Sequence, residues 1–204
     1  MVAVEKQVMS KMLVENSPGQ RMTFPVDKHA GIACTGLAPD ARTVVQRATD
    51  ECGNYKNTYG ESIPGHVLAE RMGSFMHLFT LIWYVRPFGA ASLLGVYGED
   101  GPQLYLCEPG GNANRYFGTA IGKGRQGAKT EIERLDLANI TAREALNEIV
   151  KIFYKLRDDE KPYEIEVSWI CDENGKKFTC VPPDVVQSAE AAAKAALESD
   201  MEDD

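Results

Sequence analysis

The stretch AASLLGVYGEDGPQLYLCEPGGNANRYFGTAI, residues 90–121, decides the fold class. It contains three strand-like runs, at Ala90–Tyr97, Gln103–Glu108 and Ala113–Ile121. Short segments rich in Gly, Asp, Asn and Pro separate them, and such segments tolerate positive φ and are typical of hairpin turns. The stretch therefore predicts consecutive antiparallel strands.

A pair of helices is predicted on each side of these strands. Apolar residues recur at helical spacing across 41–55 and again across 67–79, with Asp40 as the expected N-cap of the first helix and Pro64 in the first turn of the second. Downstream, one helix is predicted near Arg125–Leu137 and another from Thr141, which forms a capping box with Glu144. Because the helices arrive in adjacent pairs rather than singly between strands, a doubly wound parallel sheet is not favoured.

The remaining strands lie at the two ends of the chain. Alternating apolar and polar residues predict a strand at Tyr163–Trp169, which Asn174-Gly175 turns into a partner at Lys177–Val181. Shorter strands are predicted at Val2–Val4, Met22–Val26 and His29–Thr35. The expected fold is α+β, a four-layer αββα sandwich with two antiparallel sheets between helical layers. A single domain is predicted over residues 1–197, followed by an acidic disordered tail at 198–204.

Composition excludes several classes of protein. The 204 residues carry 22 Lys and Arg against 30 Asp and Glu, so the formal net charge is 22 − 30 = −8. An acidic chain is a poor candidate for binding a phosphate backbone, and no nucleic-acid partner is expected. The longest apolar run, 75–85, is interrupted by His77 and Thr80 and is too short to span a bilayer, so no membrane partner is expected. Five cysteines without a CxxC pair favour neither a disulfide framework nor a zinc site.

The sequence favours neither a cofactor nor a bound metal. Residues Gly122–Gly127 match GxGxxG, but they follow hairpin strands rather than the first strand of a βαβ unit, so a plain strand-to-helix turn is the expected structure. His29, His66 and His77 lie on different elements, and none is placed four residues from another ligand. No serine lies in a GxSxG elbow.

Several motifs, in the right order and at the right separations, resemble those of proteasome α-type subunits. Thr35–Arg42 (TGLAPDAR) is similar to the family's turn into its first long helix, Val85–Gly89 (VRPFG) to the segment before its central strand, and Ala120–Arg125 (AIGKGR) to a further family turn. Ala128–Glu133 and Val167–Trp169 are closest to the α type-3 subtype. The resemblance covers nearly the whole chain, and it implies the αββα fold of Ntn hydrolases.

The resemblance implies a role in a large assembly. Members form the outer α ring of the 20S core particle, which controls substrate entry in ubiquitin-dependent degradation. The implied partners are neighbouring α subunits, β-ring subunits and regulatory activators, and the implied locations are cytoplasm and nucleus. The family's N-terminal segment, including its first strand, is expected to lie upstream of Met1, so no residue of this sequence is assigned to the gating tail or to the ring contacts of that segment.

The residues independently favour a subunit without catalytic activity. Ntn catalysis needs a Thr, Ser or Cys at the mature N-terminus, whose α-amine acts as base, and this chain begins Met1-Val2. Gly118-Thr119 resembles an autolytic junction but lies inside a predicted strand, where cleavage would destroy the sheet. Two alternatives stay open: a catalytic β-type threonine protease subunit, and a dinucleotide-binding enzyme using Gly122–Gly127.

Two residues are candidate sites under this resemblance. Activator tails bind between α subunits, where a basic side chain just before a strand pairs with the terminal carboxylate. Arg21, which follows the Asn16–Gly19 turn, is the best match, and a solvated arginine is the alternative. Ser199 is followed by Asp200 and Glu202, a spacing that suits an acidophilic kinase, and an incidental serine in a solubilising tail is the alternative.

Overall fold

A computed structural model describes residues 1–7, 12, 21–156 and 163–202, with side chains through 196. Its elements, in chain order, are β1 Val2–Gln7, β2 Thr23–Asp27, β3 Ala30–Gly36, α1 Ala38–Tyr59, α2 Gly65–Leu81, β4 Ala90–Gly98, β5 Gly101–Cys107, β6 Ala113–Tyr116, α3 Arg125–Glu133, α4 Ala142–Leu156, β7 Tyr163–Trp169, β8 Thr179–Cys180 and α5 Pro183–Glu202. The predicted turn at Asn16–Gly19 lies outside the described residues.

The strands of the described residues form two antiparallel sheets. One sheet has the order β2-β3-β4-β5-β6, and the other has the order β1-β7-β8. The hairpins expected within residues 90–121 supply the pairings of β4 with β5, which turns at Gly98 opposite Gly101, and of β5 with β6. The prediction of two antiparallel sheets is confirmed.

In the part of the chain that the structure describes, three apolar cores lie between four layers. Helices α1 and α2 cover one face of the five-stranded sheet, with Val44, Leu68 and Leu94 among the buried residues. The facing surfaces of the two sheets meet around Val2 and Leu93. Helices α4 and α5 cover the outer face of the three-stranded sheet, where Trp169 is buried. This order of layers is the predicted αββα sandwich.

Two strands are shorter than the sequence predicts. Strand β6 ends at Tyr116 rather than Ile121, because the chain turns toward the following segment, where Gly118 packs closely against Ile132 and Leu137. Strand β8 begins only at Thr179, since the Phe178 amide donates to the Lys28 carbonyl at 2.8 Å and the Lys177 carbonyl accepts from the Asn174 side-chain amide at 2.6 Å.

Helix ends agree with the sequence in part. The capping box at α4 is confirmed: the Thr141 amide donates to Glu144 Oε2 at 2.8 Å, and the Glu144 amide donates back to Thr141 Oγ1 at 3.3 Å. The prediction that Asp40 caps α1 is wrong, because the helix begins at Ala38 with Leu37 as its N-cap and the Asp40 carboxylate has other partners. Pro64 is the N-cap of α2 rather than a residue of its first turn.

Helices α3 and α5 also end elsewhere than predicted. Helix α3 ends at Glu133 rather than Leu137, because the amides of Arg134 and Leu135 bond carbonyls only three residues back. Helix α5 continues to Glu202, past the expected start of a tail at 198; its Ala-rich preceding turns favour continuation. The division into one domain and an acidic tail stays a prediction. Among the described residues, no helix combines the length and apolarity needed to cross a bilayer.

Candidate functional site

The segments Thr35–Arg42 and Val85–Gly89 meet at one end of the α1–α2 layer. Arg86 donates to both oxygens of Asp40, from Nη1 to Oδ2 at 2.6 Å and from Nη2 to Oδ1 at 2.9 Å. The Gly89 amide donates to Asp40 Oδ2 at 2.8 Å, and the Leu37 amide donates to the Gly89 carbonyl at 2.9 Å. We call these contacts the Asp40 clasp, and they tie the start of α1 to the segment before β4.

The electrostatics of the clasp follow from its partners. The bidentate hydrogen bond from Arg86, helped by the Gly89 amide, lowers the pKa of Asp40 from 3.8 to about 2. The Asp40 side chain is 11% exposed, whereas that of Arg86 is 64% exposed. The close approach also explains Gly36, which has a φ of 118° and where a Cβ atom would collide with the Gly89 carbonyl oxygen.

Arg21 is exposed and lies two residues before β2, as the sequence predicts. A polar network fixes the strand that follows it. The Thr23 amide donates to Glu166 Oε1 at 3.0 Å, Thr23 Oγ1 donates to the same oxygen, and Ser168 Oγ donates to Thr23 Oγ1 at 3.0 Å. Glu166 Oε2 lies 3.3 Å from Lys6 Nζ. The network therefore joins β2 of one sheet to β7 and β1 of the other. It fixes the position of the start of β2, two residues after Arg21.

Ser199 lies far from Arg21 along the chain, in the final turns of α5, and its side chain falls outside the described part. The structure does not bring the two candidate residues into one site. They are separate positions, one before β2 and one near the end of the last helix.

The GxGxxG match has no dinucleotide-binding context in the structure. Gly124 is the N-cap of α3, and the segment before it follows the edge strand β6 of an antiparallel sheet rather than a parallel βαβ unit. Among the described residues, no group of three His, Cys, Asp or Glu side chains is arranged to hold a metal ion. The match is a strand-to-helix turn, as expected.

Two histidines and three buried cysteines have structural roles. His29 Nε2 lies 3.0 Å from the Ile63 carbonyl oxygen, and His77 Nδ1 lies 3.1 Å from that of Gly110. Burial raises the pKa of Cys34, Cys52 and Cys107 to about 12, which keeps these thiols protonated. These three thiols are therefore not activated as nucleophiles.

Two features of this region were missed from the sequence. The sequence places Asp40 at a helix start, which suits a cap, and gives no sign of its partners 46 and 49 residues away. The turn after α2 also exposes Trp83 and Tyr84, at 92% and 71%. A signal for the second feature existed, since two adjacent aromatic residues stand between an apolar helix and an Arg-Pro pair.

The comparison with protein families and the comparison with individual proteins indicate the same family. The family described as Proteasome subunit matches residues 1–170. "Proteasome subunit alpha type-3" of Spinacia oleracea is 50% identical over 199 residues, covering 97% of this chain and 79% of the relative. The proteins of the same name from Arabidopsis thaliana and Acanthamoeba castellanii are 48% and 47% identical, with 97% and 98% of this chain and 79% of each relative covered.

Proposed function

The chain belongs to the proteasome subunit family as a non-catalytic α-type member, and we propose that it works in the outer α ring of the core particle, in ring assembly, substrate gating and activator docking. The observation that carries the proposal is the similarity to α type-3 subunits over 97% of the chain. The αββα layers and the two motifs joined by the Asp40 clasp agree with it. The catalytic β-type and dinucleotide alternatives gain no support.

Incorporation into the particle tests this function. An affinity-tagged copy of the chain, expressed with the proteasome subunits of its own organism, should co-purify with them at the mass of the assembled particle. Native mass spectrometry should find it at a single position of the α ring. A chain that is folded but absent from purified particles would show the proposed function to be wrong. We further propose that the assembled chain resides in the cytoplasm and nucleus, which imaging of a fluorescent fusion would test.

We propose that Arg21 pairs with the terminal carboxylate of activator tails. Three observations support this role: the side chain is exposed, it lies two residues before β2, and the Thr23–Glu166 network fixes the backbone at the start of that strand. A charge-assisted contact of this kind is worth about 1.5–3 kcal/mol, or roughly a tenfold to a hundredfold change in affinity.

Activator binding to assembled particles measures that change. Arg21→Ala should weaken binding of an activator-tail peptide by about tenfold or more, while Arg21→Lys should retain part of the affinity because the charge remains. Arg115→Ala is the matched control, since Arg115 is also exposed but stands on β6. Equal affinity for the Arg21→Ala and Arg115→Ala particles would show that Arg21 is a solvated surface residue.

We propose that Ser199 is a phosphorylation site for an acidophilic kinase. Asp200 and Glu202 follow it at the spacing that a basic substrate pocket recognises, and a phosphate would add about −1.5 to −2 charge to this acidic end. The added charge would attract a basic patch on a regulatory partner by long-range steering.

Phosphopeptide mapping of purified particles tests the site. The matched control is Ser188, which lies on the same helix. It has Ala189 directly after it and Ala191 three residues later, where Ser199 has Asp200 and Glu202. We expect phosphate on Ser199 and none on Ser188. Absence of phosphate from Ser199 across growth conditions would contradict the proposal, and partner binding that is insensitive to salt would contradict the steering role.

A further inference from the structure

The hairpin between β7 and β8 contains the only Asn-Gly pair of the sequence, Asn174-Gly175. Asparagine is a thermolabile residue, because the backbone nitrogen of the next residue can attack its side-chain carbonyl carbon and form a cyclic imide. A following glycine favours this attack, since it has no Cβ atom to hinder the approach. Gly175 is exposed, so water reaches the pair. The pair is therefore a candidate for covalent modification.

The side chain of Asn174 holds the hairpin together. Its Oδ1 accepts a hydrogen bond from the Cys171 amide at 3.1 Å. Its Nδ2 donates to the Lys177 carbonyl oxygen at 2.6 Å, and it lies 3.2 Å from the Trp169 carbonyl oxygen and 3.0 Å from Thr179 Oγ1. Because Trp169 ends β7 and Thr179 begins β8, these contacts tie both strands to the turn.

The same contacts oppose formation of the imide. Ring closure expels Nδ2 as ammonia, so every hydrogen bond from Nδ2 is lost. It also removes the hydrogen of the Gly175 amide, which donates to the Asp172 carbonyl oxygen at 3.1 Å. Each bond that must be given up in the transition state slows the reaction by up to about tenfold. The closed hairpin should therefore protect Asn174.

Contacts with the rest of the fold keep the turn closed. Arg143 of α4 donates to both carboxylate oxygens of Glu173, from Nε to Oε1 at 3.1 Å and from Nη2 to Oε2 at 2.9 Å, and we call this ion pair the Arg143 clamp. The Tyr97 hydroxyl donates to Asp172 Oδ1 at 3.4 Å. Lys176 has a φ of 60°, in the left-handed region that residues other than glycine rarely adopt. Loss of the clamp should therefore favour opening, which relieves this backbone strain.

We propose that Asn174 is a deamidation site controlled by the hairpin: the closed turn suppresses the reaction, and an opened turn permits it. The Gly175 nitrogen bonds to Cγ of Asn174, and the bond from Cγ to Nδ2 breaks. Nδ2 leaves as ammonia and takes the proton of the Gly175 amide. Water then opens the imide at either of its two carbonyls, which leaves aspartate or isoaspartate at position 174. Water is the only other reactant.

The product cannot close the hairpin again. A carboxylate has no hydrogen to donate to the carbonyls of Lys177 and Trp169, and it places negative charge beside their oxygens. Strand β8 pairs with β7 through Thr179 and Cys180 alone in the described sheet, so the loss of these bonds removes much of its support. Helix α5 follows β8 directly. One opening of the turn would thus become a permanent loosening of β8 and the start of α5.

Mass spectrometry of proteolytic peptides measures conversion at Asn174. The purified full chain is incubated at neutral pH, folded in one sample and unfolded in guanidinium chloride in the other. Conversion of Asn174 should be at least about tenfold slower in the folded chain. Asn112 is the internal control, because it is exposed but is followed by Ala113, and it should convert slowly in both samples.

Variants of the folded chain test the control by the turn. Arg143→Ala removes the clamp without removing a contact of Asn174 and should raise conversion severalfold. Glu173→Gln weakens the clamp from its other side and should act in the same direction. Arg134→Ala is the matched control, since Arg134 is also in an ion pair and its side chain is 65% exposed, against 63% for Arg143.

Hydrogen exchange tests the consequence. Asn174→Asp reproduces one product and should speed exchange of the β8 amides, whereas Asn112→Asp should leave it unchanged. Unchanged β8 exchange in the Asn174→Asp chain would contradict the loss of the hairpin.

The conversion rates decide the rest of the proposal. Equal conversion of Asn174 in folded and unfolded chains would overturn the protection by the hairpin. Conversion of Asn174 no faster than that of Asn112 in the unfolded chain would overturn the site itself. Conversion that is equal in the Arg143→Ala, Glu173→Gln and Arg134→Ala chains would overturn the role of the clamp. Faster conversion in the two clamp variants, with melting temperatures unchanged, supports the proposal.

Discussion

Replacing Asp40 by asparagine should destabilise the fold through the Asp40 clasp. The fall of the Asp40 pKa from 3.8 to about 2 corresponds to at most ~2.5 kcal/mol, since each pKa unit is worth about 1.36 kcal/mol. Solvent screens this interaction because the Arg86 side chain is 64% exposed. We therefore expect Asp40→Asn to lower the free energy of unfolding by about 1–2 kcal/mol at neutral pH.

The effect should depend on pH in a defined direction. The carboxyl has a lower pKa in the folded chain than in the unfolded one, so its contribution is fully present above pH 3.8 and is lost as the pH falls through about 2. The asparagine variant has no carboxyl to protonate at this position. The difference between wild type and variant should therefore shrink between about pH 4 and about pH 2.

Urea unfolding measures this difference. Trp169, which is 5% exposed, reports loss of the core by its fluorescence, whereas Trp83 is already solvated. Protein is kept below micromolar concentration, and the midpoint is checked to be independent of concentration. Asp50→Asn is the control, because Asp50 lies on the same helix and bonds only the neighbouring side chain of Gln46 in the contacts described. Equal effects of the two variants, or a difference that persists undiminished to pH 2, would refute the electrostatic reasoning.

Three further predictions follow from other contacts. Thr141→Ala should cost about 1 kcal/mol in urea unfolding by removing the capping box of α4, whereas Thr43→Ala, inside α1, should cost less. Glu166→Gln should lower the free energy of unfolding in urea by about 1–3 kcal/mol, because the carboxylate is 12% exposed and joins the two sheets. The control Glu164→Gln changes a side chain that is 47% exposed and should lower the free energy of unfolding by less than about 1 kcal/mol. The isolated chain should form irregular oligomers in sedimentation, because β1 and β6 are edge strands of the described sheets; a stable, monodisperse monomer would argue against a ring subunit.

The sequence was informative where a local pattern determines the structure. The alternation over Tyr163–Trp169 and the pairing of Thr141 with Glu144 both predicted elements that the structure confirms. Local sequence patterns gave wrong element bounds where contacts with distant parts of the chain determine the end of an element. The end of β6 depends on the packing of Gly118 against Ile132 and Leu137, and no strand period encodes that contact.

The polar network shows the same limit at longer range. Thr23 and Glu166 are 143 residues apart, and each reads as an ordinary strand residue in its own segment. Their contact exists only because the two sheets pack face to face. Neither segment's own sequence indicates that the two sheets pack together at this point. The residues that position Arg21 therefore could not be identified before the structure.

Asp40 explains why a motif can identify a family while its local interpretation is wrong. An aspartate directly before a helical apolar pattern satisfies the rule for an N-cap, yet the structure places Asp40 in the first turn and uses its two oxygens for Arg86 and Gly89 of a second motif. The helix is instead started by the Leu37 backbone, whose amide bonds the same Gly89. The two motifs are thus the two halves of one contact, and Gly36 is required because that contact leaves no space for a Cβ atom. Loss of the clasp should therefore loosen the start of α1 and the segment before β4 together.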